Sequence, residues 1–386
     1  MLALVLEQRV SDDGAKELSY DLRELPVPSL EEERSSQVEV ASQHQQEEAG
    51  QAVIKVYASA IHPSDLLNSR GGFPYTTFQQ TGTSKVGHQA SYRVLGRDLS
   101  GVVQSVSRGA SSSAQTWINK QVLCTSGHDL SFSQHGTSAQ YVVLPLSALV
   151  EKPSSLSWSQ AALLGVPLQT ASLMIQRAQI QAYEEGQQQQ KLDMLVLGCS
   201  GNVGRMLVEL LRGTGHNIIT AARGTGAMLN LASATGTDEG LPSWTEQLKE
   251  LTGSKGADII FDCTGNLEVQ SASLCVLAKF GKFIFIAAPK GGAPGSTVLG
   301  IDMMRMYRLG QSLLGVNSLL YDVAQANAQL NHSLALIDHT KPLLAQEEIE
   351  KVPLRLAKQT YDLLNGKQGR AGKKYCIVFD EAREGH

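Results

Sequence analysis

Residues 194–223 decide the fold of this chain, and they read MLVLGCSGNVGRMLVELLRGTGHNIITAAR. The unbroken apolar run at 195–197 is typical of a strand buried on both faces. Glycines follow at 198, 201 and 204, and apolar residues then recur at the spacing of one helical face, at Val203, Met206, Leu207, Leu210 and Leu211. Gly213 and Gly215 predict the end of the helix, and residues 217–221 are again strand-like. The stretch therefore predicts a strand, a tight glycine turn, a helix and a second strand.

The glycine turn has the chemistry of a dinucleotide-binding site. Gly201 lets the backbone approach a diphosphate, Gly204 lets the helix pack against the strand, and the helix N-terminus attracts negative charge. Cys199 stands where the strict fingerprint has its first glycine. A structural turn without a ligand is the alternative, and the strand, helix and strand around the glycines favour the nucleotide. The predicted cofactor-binding residues of the turn are Cys199, Ser200, Gly201, Asn202, Val203 and Gly204.

The end of the second predicted strand indicates which dinucleotide binds. A cofactor with a free ribose 2′-hydroxyl is usually held by an acidic residue about 20 positions past the turn. Here the strand runs through Thr220 to Arg223, and no carboxylate follows before Asp238. Because the arginine fork matches phosphate geometry, Arg223 predicts NADPH over NADH. The alternative for Arg223 is a solvated arginine at a strand end.

Composition and charge limit the class of protein. The chain has 386 residues, enough for two domains with cores of their own, with 42% hydrophobic and 18% charged residues. A net charge of −4 gives no electrostatic footprint for nucleic acid. No apolar run approaches the roughly 20 residues that span a bilayer. The five cysteines lie far apart, which predicts reduced thiols and a cytoplasmic location.

The order of elements predicts an α/β protein with two domains. Strands and turns dominate up to about residue 150, whereas strands and helices alternate from residue 191. Such alternation is typical of a doubly wound parallel sheet with helices on both faces. The tail ends in a strand at 374–379. We expect a β-rich domain, 1–153 plus 318–386, interrupted by a nucleotide domain at 154–317.

Six segments along the chain carry motifs of one known family. They are IHPSDLLNSRGGFP (61–74), LGRDLSGVVQSV (95–106), GTSAQYVVLP (136–145), AALLGVPLQTA (161–171), KGADIIFDCTG (255–265) and GKFI (281–284). In this order they resemble the medium-chain dehydrogenase/reductase superfamily, within it the zinc-independent branch of quinone oxidoreductases and enoyl reductases. The resemblance implies a Rossmann domain inserted in a GroES-like catalytic domain, and a homodimer.

The resemblance also bears on zinc. Zinc members of the family hold a catalytic metal with a cysteine, a His-Glu pair and a further cysteine, and many carry a four-cysteine lobe. This chain has Arg97-Asp98 at the His-Glu position, and arginine cannot ligate. Cys124 is the only cysteine among the first 198 residues. His62 stands at the first ligand position, and one imidazole does not make a site. We therefore expect no metal.

Without a metal, hydride and proton must carry the chemistry. Related enoyl reductases use a tyrosine where this chain has Phe73, so the expected proton donors are Tyr75, His62 or water. Asp65 completes the candidate catalytic set as the residue that fixes this loop. The resemblance places Thr170 and Ala287 near the nicotinamide.

These expectations describe an NADPH-dependent, zinc-independent reductase that transfers hydride to a quinone or an α,β-unsaturated carbonyl. One alternative is a 2-enoyl-thioester reductase that acts on acyl-CoA or a carrier-bound chain. A different class is a non-catalytic NADPH-binding relative, which Phe73 favours. Neither nucleic acid nor a membrane is an expected partner.

Overall fold

A computed structural model describes residues 1–10, 16–30, 50–80, 91–108, 111–184, 190–224, 226–232, 243–286, 297–338, 343–369 and 372–379. Within these ranges the strands are β1 (Leu2–Val10), β2 (Lys16–Glu24), β3 (Gln51–Ile61), β4 (Gln79–Gln80), β5 (Ser91–Val94), β6 (Leu99–Val106), β7 (Gln121–Cys124), β8 (Tyr141–Pro145), β9 (Val150–Glu151), β10 (Asp193–Leu197), β11 (Asn217–Ala222), β12 (Leu229–Asn230), β13 (Ala257–Asp262), β14 (Leu277–Phe285), β15 (Ser312–Gly315), β16 (Ile349–Pro353) and β17 (Lys374–Val378). The helices are α1 (Pro63–Asn68), α2 (Ser112–Gln115), α3 (Trp158–Ala162), α4 (Gly165–Ala178), α5 (Asn202–Arg212), α6 (Trp244–Leu251), α7 (Leu267–Cys275), α8 (Met303–Leu309), α9 (Val323–Leu334) and α10 (Ala357–Asn365).

The chain forms two compact units. The first comprises Met1–Val166, Ser318–His332 and Asp338–His386, and the second comprises Pro167–Asn317 and Ser333–Ile337. The second unit is thus an insertion between two parts of the first.

The first unit is built on two sheets. One has the strand order β2-β1-β5-β4, and all of its pairs are antiparallel. The other has the order β16-β17-β3-β6-β7-β9, with β8 also paired to β3. Alternating residues of β3 and β6 enter a core that includes Ile54, Val56, Leu99 and Val103. This unit is the β-rich domain that the sequence predicts.

The boundary between the units differs from the sequence expectation, which placed it after residue 153. Helix α3 belongs to the first unit because the Trp158 ring stacks on Tyr57 of β3, with centroids 4.7 Å apart. The Ser100 hydroxyl also donates to the Trp158 carbonyl at 2.7 Å. The chain therefore divides after Val166, and the segment Ser333–Ile337 joins the second unit.

The second unit contains a six-stranded sheet in which every pair is parallel. Its order, β12-β11-β10-β13-β14-β15, is 3-2-1-4-5-6 when the strands are counted along the chain. This is the order of a Rossmann fold, in which the direction of strand addition reverses between the first and fourth strands. The predicted doubly wound domain is confirmed. Ligands of such sheets bind at the carboxyl ends of the strands beside the reversal.

The predicted amphipathic helix is α5, whose buried residues include Met206, Leu207, Leu210 and Leu211. Helix α7 ends at Cys275, and β14 begins at Leu277, which pairs with Ala257 of β13. No helix in the described part of the chain is both long and apolar enough to cross a membrane.

Candidate functional site

The glycine turn after β10 is tied to the neighbouring strand β11. The backbone N–H groups of Gly198 and Cys199 donate to the Ala221 carbonyl at 2.8 and 3.2 Å. Gly198 has a φ of +78°, in the left-handed region that favours glycine. The sequence pattern places Cys199 at the position of the first fingerprint glycine, which usually makes the tight turn. In the structure the tight turn is made by Gly198. The Gly201 N–H donates back to the Gly198 carbonyl at 3.0 Å and closes the turn.

Gly204 brings α5 into contact with this turn. A Cβ at residue 204 would lie 2.3 Å from the Gly198 carbonyl oxygen, whereas a Cβ at Gly201 would lie 3.2 Å from the same atom. Gly204 is therefore required for packing. A Cβ at Gly201 would also be close, but a shift of a few tenths of an ångström would relieve that contact.

The first turn of α5 offers unused hydrogen-bond donors. The backbone N–H groups of Asn202, Val203 and Gly204 have no carbonyl to bond within the helix. Gly201 precedes them and has no side chain to cap them. The side-chain Oδ1 of Asn202 is buried and lacks a partner among the described residues. Ser200, also predicted to bind the cofactor, is exposed in the same turn. These residues fit the diphosphate of a dinucleotide.

Arg223 follows the last residue of β11, at the same edge of the sheet as the turn. Its side chain is exposed and has no hydrogen-bond or ion-pair partner in the described part of the structure. Next to it, the Gly224 N–H donates to the Asn230 side-chain oxygen at 3.3 Å. A guanidinium at this place is available to an anionic ligand that lies on the turn.

Two further predicted cofactor residues have different outcomes. Thr170 lies in α4 and is buried, with 6% of its surface exposed. Ala287 lies outside the described residues, just after β14, which ends at Phe285.

The first unit brings His62 and Asp65 together at the start of α1. The His62 backbone N–H donates to Asp65 Oδ2 at 2.8 Å, so Asp65 fixes the loop as predicted from its position. The His62 ring pairs through Nε2 with Asp98 Oδ2 at 2.7 Å. The Val166 N–H donates to the same Asp98 oxygen at 2.6 Å. Exposure is 3% for His62 and zero for both carboxylates.

Burial changes the acidity of Asp65. Desolvation raises the pKa of its carboxyl group from 3.8 to about 6, while the charges of His62 and Arg97 work in the opposite direction. Asp98 adds a smaller upward effect through its own charge. Asp65 Oδ1 has no hydrogen-bond partner among the described residues. The side chain is therefore poised to gain a proton in mildly acidic solution.

Arg97 lies in the same cluster, and sequence reasoning missed its role there. The side chain is 2% exposed, with Nε donating to Ser126 Oγ at 2.8 Å and Nη1 to Ser64 Oγ at 2.9 Å. Its guanidinium carbon lies 5.5 Å from the centre of the Phe132 ring. The available signal was a charged pair, Arg97-Asp98, inside a segment that is mostly apolar, LGRDLSGVV at 95–103.

Tyr75, the predicted proton donor, is half-exposed and packs against aromatic rings. Its ring centroid lies 5.6 Å from that of Phe73 and 5.7 Å from that of Phe132. Burial raises the pKa of the Tyr75 hydroxyl, and the nearby charge of Arg97 opposes this rise. No hydrogen bond in the described structure joins Tyr75 to His62 or Asp65. Tyr75 thus neighbours Arg97 rather than the His62 pair.

The residues of this cluster do not fit a tetrahedral zinc site. Arginine has no lone pair for a metal, and the His62 Nε2 is already engaged by Asp98. Among the described residues no group of three or more histidine, cysteine, aspartate or glutamate side chains could hold a metal ion.

Comparison with known proteins agrees with this architecture. A sequence model of the alcohol dehydrogenase GroES-like domain matches residues 48–154, which confirms the GroES-like domain, and a model described as zinc-binding dehydrogenase matches residues 202–331. A zinc-type alcohol dehydrogenase-like protein of Schizosaccharomyces pombe is 32% identical over 305 residues, 79% of this chain and 81% of that protein. A quinone oxidoreductase of Sus scrofa is 25% identical over 336 residues, covering 85% of this chain and 89% of its own.

The solved structures show the same fold. An alcohol dehydrogenase superfamily protein from Novosphingobium aromaticivorans superposes with a TM-score of 0.66 at 21% identity, over 97% of this chain and all of that one. Together with the inserted six-stranded parallel sheet, these likenesses establish that the chain belongs to the medium-chain dehydrogenase/reductase superfamily of oxidoreductases, which bind a nicotinamide cofactor.

Proposed function

We propose that this oxidoreductase is an NADPH-dependent reductase of quinones or α,β-unsaturated carbonyl compounds and that it works without zinc. The observation that carries the proposal is Arg223, an exposed guanidinium at the same sheet edge as the glycine turn and without an ion pair to any residue that the structure describes. The likeness to a quinone oxidoreductase supports the substrate class. The residues around Arg97 do not fit a zinc site. This supports a reaction in which hydrogen-bond donors, rather than a metal ion, bind the substrate oxygen.

The chain's own residues divide the binding of NADPH between them. The N–H groups of Asn202, Val203 and Gly204 would hold the diphosphate, and Arg223 would hold the 2′-phosphate. When bound, NADPH supplies a hydride to the carbon or quinone that is reduced. An arginine that binds the 2′-phosphate favours NADPH over NADH. NADH has a hydroxyl group at this position and cannot form the charge-assisted pair of hydrogen bonds with the guanidinium.

The experiment that tests the proposal has two parts. Isothermal titration of the purified protein with NADPH and with NADH measures cofactor preference. Loss of NADPH absorbance is then followed with a quinone, a free enone and an enoyl-CoA, with and without a chelator. We expect tighter NADPH binding and chelator-insensitive turnover of the quinone or enone. Preference for the enoyl-CoA would replace the substrate class, and NADPH binding without any turnover would contradict an enzymatic role.

We also propose that the active form is a homodimer joined through β15. This strand pairs with β14 on one side, and no described strand covers its other edge. Helix α8, which precedes β15 in the chain and contacts β14, buries none of its residues and exposes Met303 and Tyr307 by 70% and 82%. An open edge beside exposed apolar side chains supports pairing with a second copy.

The free thiols of Cys124 and Cys376, both buried, support a reducing location such as the cytoplasm.

A further inference from the structure

The guanidinium of Arg97 is a buried cation that interacts with the charges of Asp65 and Asp98 but has no ion pair with any described acidic residue. Its two described hydrogen bonds go to the hydroxyl groups of Ser64 and Ser126. The aromatic face of Phe132, itself fully buried, lies on another side. Buried charges in proteins are nearly always paired directly, so Arg97 retains a desolvation cost that an oxygen atom bound during function would offset.

One hydrogen-bonding group of this cation is unused. The Nη2 atom of Arg97 is buried and has no acceptor among the described residues. Asp98 Oδ2 is occupied by the His62 ring and the Val166 N–H, and neither Asp98 Oδ1 nor Asp65 Oδ1 accepts a hydrogen bond from Nη2. A buried N–H without an acceptor retains its full capacity to bind an oxygen atom.

We propose that Arg97 is a catalytic residue whose Nη2 binds the carbonyl oxygen of the substrate and stabilises the negative charge that forms on it. This inference rests on the proposed reductase function and deepens it. In a low-dielectric site a fixed cation interacts with developing oxyanion charge far more strongly than it would in water. The hydroxyl groups of Ser64 and Ser126 bond two of the donor atoms of Arg97 without forming an ion pair with it.

The electron count of the reaction defines the moment at which Arg97 acts. As the β-carbon of an enone accepts a hydride from the reduced cofactor, the C=C pair moves toward the carbonyl carbon and the C=O pair moves onto oxygen. The enolate oxygen then carries the negative charge that Arg97 binds. Protonation of the α-carbon gives the saturated ketone, and the cofactor leaves oxidised.

Tyr75 is placed to work with Arg97. Both side chains contact the Phe132 ring, and the Tyr75 ring is half-exposed. A displacement of this ring toward solvent would admit a carbonyl group to Nη2. Its hydroxyl then supplies the second hydrogen bond, or the proton.

A chromophoric enal, 4-(dimethylamino)cinnamaldehyde, tests the contact without turnover, because its absorption moves to longer wavelength when the carbonyl oxygen is polarised. We expect a red shift on binding to the wild-type protein and to Arg93→Met, and none with Arg97→Met. Arg93 is the matched control, since it is also 2% exposed and also has one unbonded Nη atom. Its other donors bind Thr77, away from His62 and Asp65. Equal red shifts in all three proteins would overturn the proposal.

Kinetics give the second measurement. Loss of one oxyanion donor typically lowers kcat by about 10²- to 10³-fold. Arg97→Met should show this loss while its Kd for NADPH stays within about twofold of wild type, and added guanidinium ion should restore part of the activity of Arg97→Ala. If Arg97→Met does not fold, Arg97→Lys keeps the cation and should retain an intermediate kcat and red shift.

The outcomes separate the two proposals. A wild-type protein that binds NADPH poorly or reduces no carbonyl compound contradicts the proposed function, whereas the red shift still reports on Arg97. If Arg97→Met keeps the wild-type kcat, Arg97 is only structural. The same conclusion follows if guanidinium ion does not restore the activity of Arg97→Ala and Arg93→Met loses as much kcat as Arg97→Met.

Discussion

Replacement of Gly204 by alanine tests whether α5 must touch the glycine turn. The added Cβ would lie 2.3 Å from the Gly198 carbonyl oxygen, 2.8 Å from its carbonyl carbon and 2.9 Å from the Cα of Cys199. Because non-bonded carbon atoms need about 3.5 Å, the helix would have to retreat by roughly 1 Å. All three obstacles are backbone atoms, so no side-chain rotation relieves them. Overpacking of this kind costs about 1–3 kcal/mol of unfolding free energy.

Gly201→Ala separates ligand binding from packing. Its Cβ would lie 3.2 Å from the Gly198 carbonyl oxygen, and the residue has an extended backbone with φ of −74°. We expect a loss of stability of about 1 kcal/mol, the usual effect of alanine at a helix N-cap. The methyl group would nevertheless occupy the space through which a diphosphate approaches the helix N-terminus. The Kd for NADPH should therefore rise at least tenfold, which is about 1.4 kcal/mol.

Urea unfolding and isothermal titration with NADPH measure both quantities. Gly213→Ala, at the other end of α5, is the matched control, because its Cβ would meet nothing closer than the Leu210 carbonyl oxygen at 3.8 Å. Gly213→Ala should have little effect on the free energy of unfolding and none on the Kd for NADPH. Wild-type affinity in Gly201→Ala would refute diphosphate binding at this turn. Wild-type stability in Gly204→Ala would refute the argument from packing.

Three further predictions concern other parts of the molecule. Arg223→Ala should raise the Kd for NADPH about 10- to 100-fold and leave NADH within about twofold, since it removes a charge-assisted bond worth about 1.5–3 kcal/mol; equal weakening of both would contradict 2′-phosphate recognition. The pKa of Asp65 rises from 3.8 to about 6 on folding, so stability that is present below pH 3.8 is lost as the pH passes 6. The loss of unfolding free energy is at most about 3 kcal/mol. Urea unfolding at pH 4.5 and 7 should show this loss in the wild-type protein and not in Asp65→Asn; the same pH dependence in both proteins would refute the assignment to Asp65. Met303→Lys combined with Tyr307→Glu should reduce the mass in light scattering from twice the 41.5 kDa chain to one chain; a persistent dimer would place the interface elsewhere.

The Rossmann unit could be predicted from sequence because its determinants are local. The buried run before Gly198, the glycine spacing and the stripe on α5 all lie within about 20 residues of each other. Local patterns did not reveal which residue makes the sharp turn. Cys199 occupies the fingerprint position, but the hydrogen bonds to Ala221 place the positive φ at Gly198, and those bonds connect two strands.

The cluster around His62 and Arg97 could be predicted only in part because its contacts are distant in sequence. Arg97 binds Ser64 and Ser126, 33 and 29 residues away, and Asp98 meets His62 across 36 residues. The family resemblance correctly drew attention to Arg97-Asp98, but only as a position where zinc ligands are missing. The burial of the guanidinium and its hydroxyl partners becomes visible only when α1, the segment between β5 and β6 and the residues after β7 are brought together.

The partners of Arg97 explain why a stable fold retains an expensive residue. The charges of Asp65 and Asp98 offset part of the cost of burying the guanidinium, but neither carboxylate forms an ion pair with it among the described residues. A carboxylate in place of Ser64 or Ser126 would pair with the guanidinium directly and lower that cost further. Such a pair would also weaken the attraction of Arg97 for any other anion. Hydroxyl groups orient the fork without a direct ion pair, and this is the arrangement that the proposed binding of a transient oxyanion by Arg97 requires.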